Sequence, residues 1–193
     1  MTGVQTCALP IFVSGLLQPC ESGKPLWPPV PDELLHAQPA ILEAQKGDDG
    51  GRMQGWYTDP QEQTDVRSLF LVRKRCLPIP FLQAFDLPDT TVSCARRETT
   101  VVAPQALMLL NSPEGIRYAE AFAARLGHMH DPLSLTDPDA TCRVVASLFQ
   151  TALNREPVDE EFELASKFLE RHVALHNEAG EGAAQRALTD LCR

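Results

Sequence analysis

The stretch SCARRETTVVAPQALMLLN, residues 93–111, brings a hydroxyl (Ser93), a thiol (Cys94), two adjacent guanidiniums (Arg96, Arg97) and two amides (Gln105, Asn111) into nineteen residues. Three chemistries suit such a set. Paired guanidiniums can brace a loop by bonding Asp86, Asp89 or Glu98 and nearby carbonyls, since half-buried arginines usually find acidic or carbonyl partners. They can instead present a fork to phosphate, sulfate or uronate. Adjacent positive charge would also depress the Cys94 thiol pKa and favour a thiolate nucleophile. A nucleophile usually needs a base, however, and no histidine lies close to Cys94 in sequence. Bracing is the preferred reading. Gln105 and Asn111 flank one short helix, and Asn111 most simply caps its end or the following turn.

Arg67 belongs with this set through charge. From Arg67 to Arg97 there are six basic residues (Arg67, Arg73, Lys74, Arg75, Arg96, Arg97) against Asp86 and Asp89, in a chain whose net charge is −9. A basic island in an acidic protein either pairs internally or holds an anion. The overall charge argues against a nucleic-acid partner, which needs a basic face to neutralise phosphates. His172 and His176 stand at i, i+4, a spacing that can clamp a metal. Without a third ligand at motif spacing they are assigned to a solvated face, so no metal is expected. His128 and His130 are given to a loop. The acids at Asp159, Glu160, Glu161 and Glu163 suit a helix start.

The elements that must position these groups are mainly helical. With 193 residues, 44% hydrophobic and only 6% aromatic, one domain with an aliphatic, helix-packed core is expected. Phe12–Leu17 reads as the tail of a helix whose beginning is missing. Pro25, Pro28, Pro29 and Pro31 enforce extended backbone, and residues 31–35 can form one helical turn. Residues 46–52 (KGDDGGR) read as a surface loop. Trp56 or Tyr57 should anchor the chain after Gly55. Residues 67–72 (RSLFLV) are the one strand candidate, and Pro80 can open a short helix. From Pro104 the pattern is helical to Asn111. Ser112-Pro113-Glu114 then starts a helix to about Leu126, with Ile116, Ala119, Phe122, Ala123 and Leu126 on one face. Asp137-Pro138 starts another, with Cys142, Val145, Leu148, Phe149 and Ala152 as its buried stripe. A third covers about 159–173, and Ala183–Cys192 begins a last one. The fold class is therefore mainly α: a loop-rich N-terminal part with one short β element, followed by a helical bundle.

The ends carry their own expectations. MTGVQTCALPI matches one back-translation of a common sequencing adapter, so residues 1–11 are read as non-native, and Cys7 with them. Residues 12–193 then form one truncated domain: a loop-rich segment (12–66), a signature core (67–112) and a helical part (113–193). Cys20, Cys76, Cys94, Cys142 and Cys192 remain, with no CxxC or CxxCH for zinc or haem attachment. A Cys76–Cys94 disulfide cannot be established from spacing. No run approaches the ~20 apolar residues of a membrane span.

Several elements occur together in the order of a known family. Arg67-Ser68, FLQAFDLPD (81–89), Ser93-Cys94-x-Arg96-Arg97, Ala103-Pro104-Gln105-Ala106-Leu107, Leu110-Asn111, Ala152-Leu153-x-Arg155 and LTDLC (188–192) together resemble the planctomycete C-terminal domain of unknown function 1553. The chain departs at Val66, where the family tends to have a second arginine, and at Phe70 for a tyrosine. Asn154 stands for a usual glycine and Val158-Asp159 for a usual Thr-Pro. The family's last helix normally continues past the Leu-Cys pair, so a piece shortened at both ends is expected.

The resemblance implies export to the periplasm or cell envelope, other domains of the same parent chain as partners, and a polysaccharide-related setting. It also implies a cytochrome-c-like module upstream; no cofactor is expected in residues 12–193, and haem c would belong to that upstream region. Two functions follow. The preferred one is a non-catalytic structural or interaction module of a large exported, cytochrome-c-associated protein, docking partner domains and an anionic glycan through the basic island. The alternative is part of an enzyme acting on complex carbohydrates, with Cys94, Arg96 and Arg97 lining a pocket.

Overall fold

The structure, a computed structural model, describes residues 8–19, 23–46, 55–85, 103–130, 135, 137–177 and 182–193. Its contacts divide the chain into two compact units. The N-terminal unit is Met1–Ile11 with Leu16–Met108, and the C-terminal unit is Phe12–Gly15 with Leu109–Arg193. Among the described residues there are ten α-helices and no extended strand, so the chain is mainly α.

In the N-terminal unit prolines set the local structure. Pro31 and Pro60 immediately precede α2 (Asp32–His36) and α4 (Gln61–Thr64), while α3 (Pro39–Lys46) and α5 (Pro80–Ala84) begin on a proline. Proline's fixed φ suits a helix start, where no intrahelical N–H is required. Tertiary bonds replace the ladders that proline forbids. Trp27 N–H donates to Asp59 Oδ2 (2.8 Å), Asp59 N–H to the Trp27 carbonyl (2.9 Å), and the Trp56 indole N–H to the Pro28 carbonyl (3.1 Å). Trp27 meets Trp56 and Tyr57 edge to face, with centroids 5.2 and 5.9 Å apart, and Trp56 is 1% exposed. Of the two residues expected to anchor the chain, Trp56 is buried and Tyr57 half-buried.

The strand expected at residues 67–72 is not formed. Ser68–Phe70 is a 3-10 turn, and the β element shrinks to isolated bridges, Leu26 to Leu71 and Lys74 to Leu77. Leu26 N–H reaches the Phe70 carbonyl (2.9 Å) and Val72 N–H the Leu26 carbonyl (2.7 Å). The pairing stops there because Pro25, Pro28 and Pro29 have no N–H to extend it. The first helix, α1 (Ala8–Ser14), has Pro10 in its first turn, where proline is tolerated.

The C-terminal unit is an aliphatic bundle. After α6 (Ala103–Asn111), Ser112 caps α7 (Pro113–Met129): its hydroxyl accepts from the Gly115 N–H at 3.0 Å. Gly115 is needed for close approach, since a Cβ there would sit 2.1 Å from the Leu109 carbonyl oxygen. Asp137 caps α8 (Pro138–Leu153), which ends on Asn154 in the left-handed region (φ 54°). Asparagine tolerates that conformation better than most residues. Next come α9 (Asp159–Asn177) and, after Gly182 at φ 87°, α10 (Ala183–Cys192). Leu126, Val145, Leu169, Ala187 and Leu188 are fully buried at the centre, and Val13 of α1 packs against them. The buried stripe of α8 differs from expectation. Thr141, Val144, Val145 and Leu148 are buried, whereas Cys142 and Ala152 are exposed and Phe149 is half-buried. Adjacent Val144 and Val145 allow two neighbouring stripes, and packing against α9 and α7 selects one.

Candidate functional site

The signature residues fall in different places. Ser93, Cys94, Arg96 and Arg97 lie outside the described residues. Arg67 is exposed in the N-terminal unit, where its carbonyl accepts from the Phe70 N–H (3.0 Å) and opens the 3-10 turn. Gln105 is half-buried and Asn111 exposed, both on α6. Six residues apart, they leave the helix about 120° from one another, so α6 does not bring their amides onto one face. Around Arg67 the basic segment splits. Arg67, Arg73 and Arg75 are exposed, whereas Lys74 turns inward, donating to the Gly55 carbonyl (2.7 Å) with its ammonium 5.4 Å from the Trp27 ring. Burial lowers the Lys74 pKa, outweighing the opposing effect of Cys76. Cys76 is exposed and free.

Arg155 has a clear structural task. Its guanidinium meets both oxygens of Glu161, at 2.7 and 2.6 Å, and Glu161 also accepts from the Val158 N–H at 3.1 Å. The clamp ties the end of α8 to the first turn of α9. The Arg155 bonds, and then the Val158 bond, hold the Glu161 carboxyl down to about 2.

The densest chemistry of the C-terminal unit lies between α9 and α10. His172 and His176 stand one turn apart, and α10 sets Asp190 against both. His172 Nδ1 is 2.9 Å and His176 Nε2 2.7 Å from the same oxygen, Asp190 Oδ2. The three side chains are 26%, 28% and 31% exposed, so the cluster sits at the rim of the core. Phe168 stacks on His172 with centroids 3.9 Å apart and planes 17° from parallel, which limits how that imidazole turns. Burial pushes the Asp190 carboxyl up, but the bonds from His176 and His172 together outweigh it and hold it below the ordinary value. Two imidazoles and one carboxylate are a donor set suited to a borderline divalent metal.

Sequence reasoning found the histidine pair and missed Asp190. A signal was present: an acid in the last turn of a helix faces the negative end of the dipole, and its position there asks for a compensating cation. A second feature of this unit is a cleft of about 450 Å³ lined by Pro138, Thr141, Phe162, Ser166, Glu170 and Val173, among others. The Ser166 hydroxyl is buried there with no partner among the described residues.

Searches of curated proteins and of solved structures returned no match. One family profile matches residues 8–169, that of PSD1, a protein of unknown function (DUF1553). The match takes in α1, the Arg67 segment, α6 and the Arg155 clamp, and stops short of His172, His176 and Asp190. Because it covers far more than half of the chain, the protein belongs to the DUF1553 family of proteins of unknown function.

Proposed function

We propose that this chain is a non-catalytic interaction module of a larger exported, cytochrome-c-associated protein of planctomycete type, docking partner domains of its parent and an anionic glycan through the basic segment. The observation that carries this reading is the exposure of Arg67 and Arg75, in a chain of net charge −9. An exposed guanidinium keeps its planar fork available for carboxylate or sulfate. The neighbouring Lys74 is spent on the fold instead, holding the Gly55 carbonyl. Among the described residues, the segment therefore has one cation that organises the backbone, Lys74, beside the exposed Arg67 and Arg75. Family membership agrees with a module whose chemistry is unassigned, and the haem of the parent protein belongs to another domain.

The test is retention of the full chain on immobilised polygalacturonate and on a sulfated glycan at low ionic strength, against Arg67→Glu/Arg75→Glu. Binding by the wild type that falls with salt and is lost in the folded double variant supports the reading. Such contacts weaken as the Debye length drops to about 8 Å at 0.15 M salt. Absence of wild-type retention on both matrices, or retention unchanged by charge reversal, overturns it.

A further inference from the structure

We propose that His172, His176 and Asp190 form a binding site for a borderline divalent transition-metal ion of the zinc class, with water completing the coordination from the solvent side. The site is built by the fold rather than gathered on a loop. Leu169, one turn before His172 and Phe168's neighbour on α9, is fully buried, as are Ala187 and Leu188, which hold α10 one turn before Asp190. The backbone positions of all three ligands are therefore set by core packing. His172 Nδ1, His176 Nε2 and an Asp190 oxygen lie within 4.8 Å of one another.

Both imidazoles already approach the carboxylate at distances near those an ion needs. With zinc bonds of about 2.0–2.1 Å to nitrogen and oxygen, tetrahedral ligand atoms stand about 3.3 Å apart. The observed 2.9 and 2.7 Å separations from Asp190 Oδ2 require an opening of only a few tenths of an ångström, within reach of side-chain torsions. The two nitrogens that now approach the carboxylate become the metal-bound atoms when each imidazole carries its proton on the other ring nitrogen. The Phe168 stack keeps the His172 ring in its plane, and loss of such ring orientation is costly in metal sites. A cation also answers the dipole problem: Asp190 lies in the last turn of α10, where negative charge is unfavourable. Three protein ligands plus an accessible water are the arrangement of an open zinc site rather than a closed structural one.

The experiment is a zinc titration of the untagged, metal-stripped full chain at neutral pH, with circular dichroism of every variant as the folding control. One zinc per chain is expected, with affinity falling at least about tenfold in each of His172→Gln, His176→Gln and Asp190→Asn. Cobalt(II) in the wild type gives a readout that needs no variant. Visible d–d bands without a thiolate charge-transfer band are expected from nitrogen and oxygen ligands. Lack of stoichiometric zinc uptake overturns the proposal, as does a thiolate band assigning the ion to cysteine. Uptake undiminished in folded variants overturns it too. None of these readouts depends on glycan binding.

Discussion

Around Trp56 the N-terminal unit holds itself together with side chains bonded to backbone carbonyls far along the chain; around Leu169 the C-terminal unit does so with aliphatic contacts between helices whose backbones satisfy themselves. Trp56 reaches Pro28 and Lys74 reaches Gly55, because a proline-rich segment has lost donors that would otherwise pair locally. In α7 to α10 each backbone N–H beyond the first turn finds its own carbonyl, leaving Leu126, Val145 and Leu188 to pack without polar duties. The contrast teaches where each unit is fragile. The first depends on a few large, multiply bonded residues, and the second on close approach and helix ends.

Substitutions can break that contrast in order of size. Trp56→Ala removes the most buried aromatic of the N-terminal unit and is expected to cost about 3–5 kcal/mol. Both tryptophans lie in that unit, so Trp27 fluorescence should report its loss at lower denaturant. Circular dichroism, dominated by the long helices of the other unit, should keep its midpoint. Coincident shifts of both signals would show one cooperative body and remove the contrast.

Gly115→Ala places a Cβ against the Leu109 carbonyl and should cost about 1–3 kcal/mol, as overpacking does. The loss should appear in the helical transition and leave Trp fluorescence alone. Asn154→Ala should cost about 1 kcal/mol, because alanine pays for the left-handed cap that asparagine and glycine tolerate. Asn154→Gly should stay within a few tenths, and thermal melts of the pair compare the two directly.

The smallest effect concerns acid. Glu161 has its carboxyl lowered from 4.5 to about 2 in the fold, so the unfolded chain binds its proton first as pH falls. Its contribution is fully present above about 4.5 and is lost as pH drops toward 2. Glu161→Gln should flatten that part of the stability profile of the C-terminal unit, read from chemical unfolding at several pH values. An unchanged slope would mean the Arg155 clamp is too solvated to matter.

Much of the C-terminal unit was legible because capping is local. Ser112-Pro113 and Asp137-Pro138 announce helix starts through side chains that bond within three residues, and both are used as such. The α8 stripe was less legible: Thr141 and Val144 are buried where Cys142 and Ala152 were expected. Helical periodicity fixes the spacing of a stripe, while its phase depends on which neighbours cover it. The segment 67–72 has the composition of a strand, yet a strand needs a partner with free N–H groups, and the partner here runs through Pro25, Pro28 and Pro29. Of the signature residues, Arg67, Gln105 and Asn111 lie among the described ones, and Gln105 and Asn111 leave α6 in different directions.

The sequence by itself determined the class of fold, the capped helix starts and the family, because these depend on residues close together in the chain or on many elements in fixed order. Tertiary structure alone decided that His172 and His176 face Asp190. The histidine pair follows from 3.6 residues per turn. Asp190 is 14 residues beyond His176, on another helix, and only the packing of Leu169 with Ala187 and Leu188 turns its carboxylate toward both rings.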